Sequence, residues 1–471
     1  MSTRVAWSPV RDLQGVRMVD KRHARRVVAV AKRAMAAPRA SFPRMMRDDG
    51  ELEGAYRLFS NPDVSPRSIL DAHFEATAKR TLESGAPIVV VHDTTDCCFG
   101  GEAERAGIGR VSNDGKGLAL HVALALAPDG LPRGLLDVVT STRLGGVQSK
   151  RGRERKPPSE RESARWFATV ERVMNRLGDA NQAVHVMDRE ADGYLLLEDL
   201  VQAGRAFVIR AKHNRRVLND QHDFLRDAIE HVDVMVEREV CLSSRSDRHR
   251  RISAKKTHAA REARMAHLAV GARTVTIRSG KQNRDFADRP TLTLNVVRVW
   301  EPNPAADQPP VEWLLITNLP ASSPAQLEVV VDVYRARWTV EEFFKALKTG
   351  CAFEQRQLES RHALENALAI LAPIACRMLL LRTLARRPDP VPATDVLTPT
   401  QIDVLRAISA RYELPRNPTV RDALLAVAGL GGFLRRNGTP GWQTIGLGFD
   451  HLLQAELVWK AAKRGQRSDQ S

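Results

Sequence analysis

The stretch IVVVHDTT, Ile88 to Thr95, decides how the chain is read. A short run of β-branched residues introduced by Gly85 and Pro87 predicts a buried strand, with Asp93-Thr94-Thr95 falling where that strand meets its loop. The same layout recurs at Ala183 to Asp188, AVHVMD, an apolar strand running into an acidic end and followed by Arg189-Glu190-Ala191-Asp192. An aspartate after a strand is by itself an ordinary turn former or helix cap. If the two strands are parallel neighbours, however, both carboxylates emerge at one edge, where open α/β sheets place their sites.

A third acidic element lies in VDVYRARWTVEEFFKALKTG, Val331 to Gly350. Thr339 followed by Glu342 has capping-box spacing and predicts a helix from Val340, and Gly350 just past Lys348 is its stop signal. Val340, Phe343, Phe344 and Leu347 form an apolar flank, while Glu341 and Lys348, seven apart, return to one azimuth on another. Tyr334 and Arg337 lie just upstream, either on a continuous helix or in the turn that feeds it. On a continuous helix the set Tyr334, Arg337, Glu341 and Lys348 stays within roughly 60° of arc. Arg337 and Glu341 alone would be an ordinary i,i+4 pair of a few tenths of a kcal/mol. A lone carboxylate cannot hold a divalent metal for phosphoryl chemistry, so the reading requires Asp93 and Asp188 at the same place.

Composition sets the partner class. The 471 residues suggest two to four domains. With 72 Lys and Arg against 56 Asp and Glu, the formal net charge of +16 favours a polyanionic partner, although composition does not separate DNA from RNA or an acidic membrane surface. No apolar run reads as a bilayer span and no signal-peptide core stands at the N-terminus, so a cytoplasmic protein is expected. Five scattered cysteines, without zinc-ligand spacing, read as reduced packing residues.

Residues 1–70 form a first, helical region. Its first 60 residues hold 13 Lys and Arg against 6 Asp and Glu, a disproportionate share of the excess charge. The run from Asp20 through Arg33 reads as an alanine-rich helix from which Lys21, Arg22, Arg25, Arg26 and Lys32 could reach phosphates; a solvated basic face is the plainer reading. Residues 71–385 read as βββαβαβ. The Asp93 strand, then Leu118 to Leu126 and Leu131 to Thr140 about a Pro128-Asp129-Gly130 turn, make a meander. A helix over Ser159 to Leu177 leads to the Asp188 strand, and a helix over Tyr194 to Val201 leads to a strand over Ala206 to Ala211. Residues 229–318 read as a β-rich insertion. Two basic segments, Arg143 to Arg161 and Arg245 to Arg264, interrupt this region. After a Pro-rich linker at 386–392, the remainder to 471 reads as a helical tail domain.

The order Asp93, Asp188, Glu341, with the Tyr334, Arg337, Glu341, Lys348 spacing, resembles the Tyr-Arg-Glu-Lys signature of bacterial insertion-sequence transposases of the DDE group, the transposon-five type above all. His92 to Thr95, Val186 to Asp192, Phe207 to His213, Trp313 to Leu315 and Leu430 to Phe433 have counterparts in the same order, so the resemblance runs nearly end to end. It implies a mixed α/β fold with a ribonuclease-H-like core and β-rich insertion, flanked by helical N- and C-terminal domains. It implies cut-and-paste transposition, through cleavage at transposon ends by way of a hairpin and attack of the 3′ ends on target DNA.

Asp93, Asp188 and Glu341 would be the metal ligands, for two Mg²⁺ ions with Mn²⁺ as substitute. Tyr334, Arg337 and Lys348 would hold DNA near the scissile bond, with Lys345, Arg210, Lys212 and Arg215 behind them. Trp313 would line a pocket for a flipped-out base, although core packing is its plainer reading. Arg22, Arg25 and Arg26 would serve transposon-end recognition, and the tail would supply the homodimer contact in a synaptic complex on double-stranded DNA. Phe344 departs from the family, whose nearest members carry a polar residue there. A non-catalytic regulator derived from a transposase, and a nuclease without strand transfer, are the alternatives.

Overall fold

The computed structural model describes residues 7–100, 104–111, 115–143, 163–178, 183–218, 223–242, 262–278, 290–304 and 310–468. The expected basic segments at 143–161 and 245–264 fall almost wholly outside them. The chain forms a mixed α/β fold that divides into two compact units, each discontinuous in sequence. One comprises Met1–Ala86, Thr94–Gln148 and Thr339–Ser471; the other comprises Pro87–Asp93 and Ser149–Trp338.

In the first unit, helices over Lys21–Ala36, Asp49–Ser60 and Pro66–Leu82 are each started by a side-chain cap, from Asp20, Asp48 and Ser65. Strand β1 (Ile88–Cys98) gives this unit its closing half. β2 (Gly109–Arg110) and β4 (Pro132–Ser141) pair antiparallel with β3 (Lys116–Leu126), which on its other side borders β1. This is the expected meander.

The Arg361–Ala385 helix is buried nearly all round. Contrary to the sequence expectation, it is long and apolar enough to cross a bilayer, but 83% of its apolar window is packed inside the unit, as in a core helix. Asn366 on this helix is fully buried and donates to the carbonyls of Phe59 (3.0 Å) and Val64 (2.9 Å), so the N-terminal helices are fixed by satisfied polar contacts as well as by apolar packing. The tail is helical as expected, over Pro399–Ile408, Val420–Leu430 and Trp442–Ser468.

The second unit is built on a large mixed sheet. The opening half of β1, β5 (Ala183–Met187) and β6 (Ala206–Arg210) run parallel, joined by helices over Ala164–Leu177 and Tyr194–Gln202. Beyond β6 the direction alternates through β10 (Glu312–Thr317), β9 (Leu292–Trp300), β8 (Arg264–Ile277) and β7 (Val236–Leu242). The expected β-rich insertion is therefore antiparallel sheet added to the parallel strands. Trp166, Val170, Val173 and Leu177 form the buried face of their helix, as their spacing predicts. The cysteines are all free thiols; Cys97, Cys351 and Cys376 are buried, whereas Cys241 on β7 is exposed.

Candidate active site

Within the second unit, β1 and β5 pair in the register Val91 with Val186. Two further steps along each strand reach Asp93 and Asp188, so the two aspartates occupy matching positions. β5 ends at Met187, and Asp188 then caps a short 3₁₀ turn, Arg189–Ala191, its Oδ1 accepting the Glu190 N–H at 2.8 Å. Asp188 is thus a cap, the plain reading, which leaves its other oxygen for chemistry. β1 differs from expectation. It does not end at Asp93 but continues to Cys98, because in the first unit β3 supplies its next partner.

Arg337 Nη1 donates to Asp93 Oδ2 at 3.0 Å, with both side chains largely buried, and the guanidinium lies 4.7 Å over the half-exposed Trp338 ring. Tyr334 is buried and meets Trp313 edge to face at 5.4 Å. Burial pushes the Tyr334 hydroxyl above its ordinary pKa; Arg337 and Arg210 pull it down and Asp188 adds to the rise. Burial likewise lowers the Arg210 pKa, opposed by Tyr334, and Arg210 Nη2 donates to the Glu312 carbonyl at 3.0 Å. The fold therefore assembles Asp93, Asp188, Tyr334, Arg337, Arg210 and Trp313 in one place.

Asp192 is a group whose role the sequence reading passed over. Its fully buried carboxylate accepts the backbone N–H groups of Lys212 (2.5 Å) and His213 (2.9 Å) and pairs with Arg215 at 2.6 Å, while Arg215 Nη2 also reaches the Asp192 carbonyl. This clamp ties the turn after Asp188 to the loop after β6. It commits the Arg215 guanidinium to the protein, whereas the Lys212 side chain is exposed.

Glu341 belongs to the first unit, on the Trp338–Lys345 helix, and is partly buried. That helix starts two residues before the predicted Val340, and Tyr334 ends up on the preceding helix, Pro324–Arg335, with Arg337 in the intervening turn. Glu342 does not cap it. Its carboxylate instead accepts from Lys345 (2.8 Å), Arg382 (2.7 Å) and Trp442 Nε1 (3.0 Å). Ala346–Gly350 then winds as a π-turn, closed by the Cys351 N–H on the Ala346 carbonyl at 2.8 Å, and it ends at Gly350 as the sequence indicates. Lys348, within this turn, bonds the Asp96 carbonyl and sits 3.6 Å from Glu354, whose Oε1 accepts the Cys98 N–H at 2.9 Å.

On the Lys21–Ala36 helix, Arg22 pairs with its cap Asp20 at 2.8 Å, which with the Arg22 N–H lowers the Asp20 pKa to about 2. Arg25 is exposed. Arg26 lies against Gly54 and donates to its carbonyl at 3.3 Å; a Cβ on Gly54 would come within 2.8 Å of that guanidinium, so glycine is required there.

Among the described residues no group of three or more His, Cys, Asp or Glu side chains is set to hold a metal. The matched carboxylates of Asp93 and Asp188 are nevertheless hard oxygen donors of the kind that suits Mg²⁺.

Residues 163–379 match the family model described as the transposase DDE domain, and residues 9–64 match that for transposase DNA-binding. Among solved structures, the chain is similar to the piggyBac transposase in a synaptic complex with hairpin DNA, at 11% identity and a TM-score of 0.32, over 72% of this chain and 55% of that one. The chain thus spans about half the length of that transposase.

Proposed function

We propose that the transposase indicated by these two domains is a cut-and-paste enzyme, cleaving DNA at the ends of its element and joining the 3′ hydroxyl ends to target DNA. The reading includes a ribonuclease-H-like core, Asp93, Asp188 and Glu341 as ligands to Mg²⁺, and a homodimer in the synaptic complex. The observation that carries it is the pair of aspartates at matching positions on parallel β1 and β5, with Arg337 on one of them.

When bound, divalent ions neutralise charge at phosphorus and lower the proton affinity of the attacking hydroxyl. Asp93 and Asp188 supply the anionic oxygens, and the cap bond at Glu190 fixes the orientation of Asp188. Arg337 offsets the repulsion between the two carboxylates. A guanidinium carries five donors, so it can hold Asp93 and a phosphate oxygen together. Tyr334, its hydroxyl held protonated by burial, acts as a donor near the DNA backbone. Lys348 contributes a point charge, and Trp313, partly exposed beside Tyr334, offers a face to an unstacked base. Arg25 and its neighbours on the Lys21–Ala36 helix contact the transposon ends through phosphates.

The test is incubation of purified protein and Mg²⁺ with a plasmid whose insert is bounded by the inverted repeats flanking the gene, wild type beside Glu341→Ala. Excised insert and joined products from wild type alone support the reading. End binding without cleavage by wild type refutes it, and cleavage without joining reduces it to a nuclease.

A further inference from the structure

The helix that carries Glu341 is gripped from the C-terminal helix at three separate points, all within the first unit. Glu342 Oε2 accepts both Arg382 Nη1 at 2.7 Å and Trp442 Nε1 at 3.0 Å, and the Arg382 guanidinium stacks 4.5 Å over the Trp442 ring. Four residues on from Trp442, a Cβ on Gly446 would come within 2.6 Å of the Gly350 carbonyl oxygen, so the two backbones touch where the π-turn ends. Arg39 completes the grip: its Nη1 donates to the Thr349 carbonyl at 2.5 Å while its backbone N–H donates to Asp450 at 3.3 Å.

Burial of Glu342 opposes its ionisation, but the hydrogen bonds from Lys345 and Trp442 and the charge of Arg382 outweigh that and hold its carboxyl below the ordinary value. An ionised, half-buried carboxylate with three donors is a rigid joint. Glu341 is its sequence neighbour, and Lys348 lies between the Glu342 joint and the Gly350 contact.

We propose that Glu342 is a positioning residue, which with Trp442 and Gly446 sets the placement of Glu341 and Lys348, so that the first two turns of the C-terminal helix are part of the catalytic apparatus. This rests on the function proposed above for Glu341 but is tested partly without it.

Full-length wild type, Glu342→Gln and Trp442→Phe are compared by amide hydrogen exchange over residues 338–350. The Phe variant keeps a ring over Arg382 and removes one donor. Exchange about tenfold faster in that segment, with the thermal midpoint little changed, is expected for both variants. Unchanged exchange there, or a change confined to residues 442–450, overturns the proposal whatever the catalytic result.

In single-turnover cleavage both variants should fall about tenfold while end affinity stays within about twofold. The double variant should be no slower than the worse single one, because both break the same joint. Equal losses of affinity and rate, tracking a lower thermal midpoint, would mark a general structural role and also overturn it. Wild type that cleaves while both variants match it refutes the inference alone; wild type that fails to cleave refutes the function, and exchange still decides the joint.

Discussion

Asp192→Ala should be among the most destabilising single changes in the second unit. Its carboxylate is fully buried, Arg215 opposite it is 9% exposed at 2.6 Å, and two backbone N–H groups end on it at 2.5 and 2.9 Å. Truncation leaves a buried guanidinium without its counter-charge, about 3–5 kcal/mol by the usual cost of breaking such a pair. The two N–H groups add less, because Lys212 and His213 are exposed and water can reach their segment. With a urea slope near 3 kcal/mol/M, the midpoint should drop by about 1 M or more. Asp192→Asn, which keeps an acceptor but not the charge, should lose less.

Glu53→Ala serves as the control, since its pair with Arg57 has side chains 63% and 72% exposed and should cost no more than about 0.5 kcal/mol. Urea unfolding followed by near-ultraviolet circular dichroism reports all three. A loss below about 1 kcal/mol for Asp192→Ala would show that the loop after β6 does not depend on the clamp.

Asp188→Asn keeps an N-cap acceptor for Glu190, so folding should survive while cleavage at transposon ends falls by at least about 10³-fold; retained cleavage in the gel assay would remove Asp188 from the site. Tyr334→Phe keeps the ring against Trp313 and loses the hydroxyl, and should slow cleavage about tenfold with little change in end affinity, measured by single-turnover kinetics beside fluorescence anisotropy. Arg25→Ala should weaken end binding and lower the salt slope of log affinity by about one, whereas an unchanged slope places Arg25 off the DNA.

The pKa of His185 is lowered to about 3 by burial, so the folded state stays neutral where the unfolded chain takes a proton below about 6.5. Stability should therefore fall as pH drops from about 6.5 towards 3, by about 2 kcal/mol at pH 5 from this group. His185→Gln should flatten that part of the urea-midpoint profile.

The parallel strands, their acidic ends and the βββαβαβ order were legible in sequence because each rests on local patterning, β-branched runs and helical spacing, that tertiary contacts then reinforce. Asp93 was legible as a residue but not as a place, since a strand's extension depends on a partner such as β3 that comes later in the chain. Glu342 shows the limit more sharply. Capping-box spacing is a local signal, and it lost to Arg382 and Trp442, which lie 40 and 100 residues away. Asp192 stood in plain view within the Asp188 run, yet a buried carboxylate and a turn former read alike until the loop that it holds is known.

The π-turn at Ala346–Gly350 has a further consequence, for how this chain tolerates length changes. A π-turn holds one residue more than an α-helical turn of the same span, so it stores a single-residue insertion without breaking the helix. Deleting Thr349 would let the segment rewind as α-helix and turn everything beyond it by about 100° relative to Glu341. Ala352, whose φ of 48° already places it in the left-handed region, would then enter its turn from the wrong side. A one-residue gap between Lys345 and Cys351 is thus a change of phase, which no substitution at either end can restore.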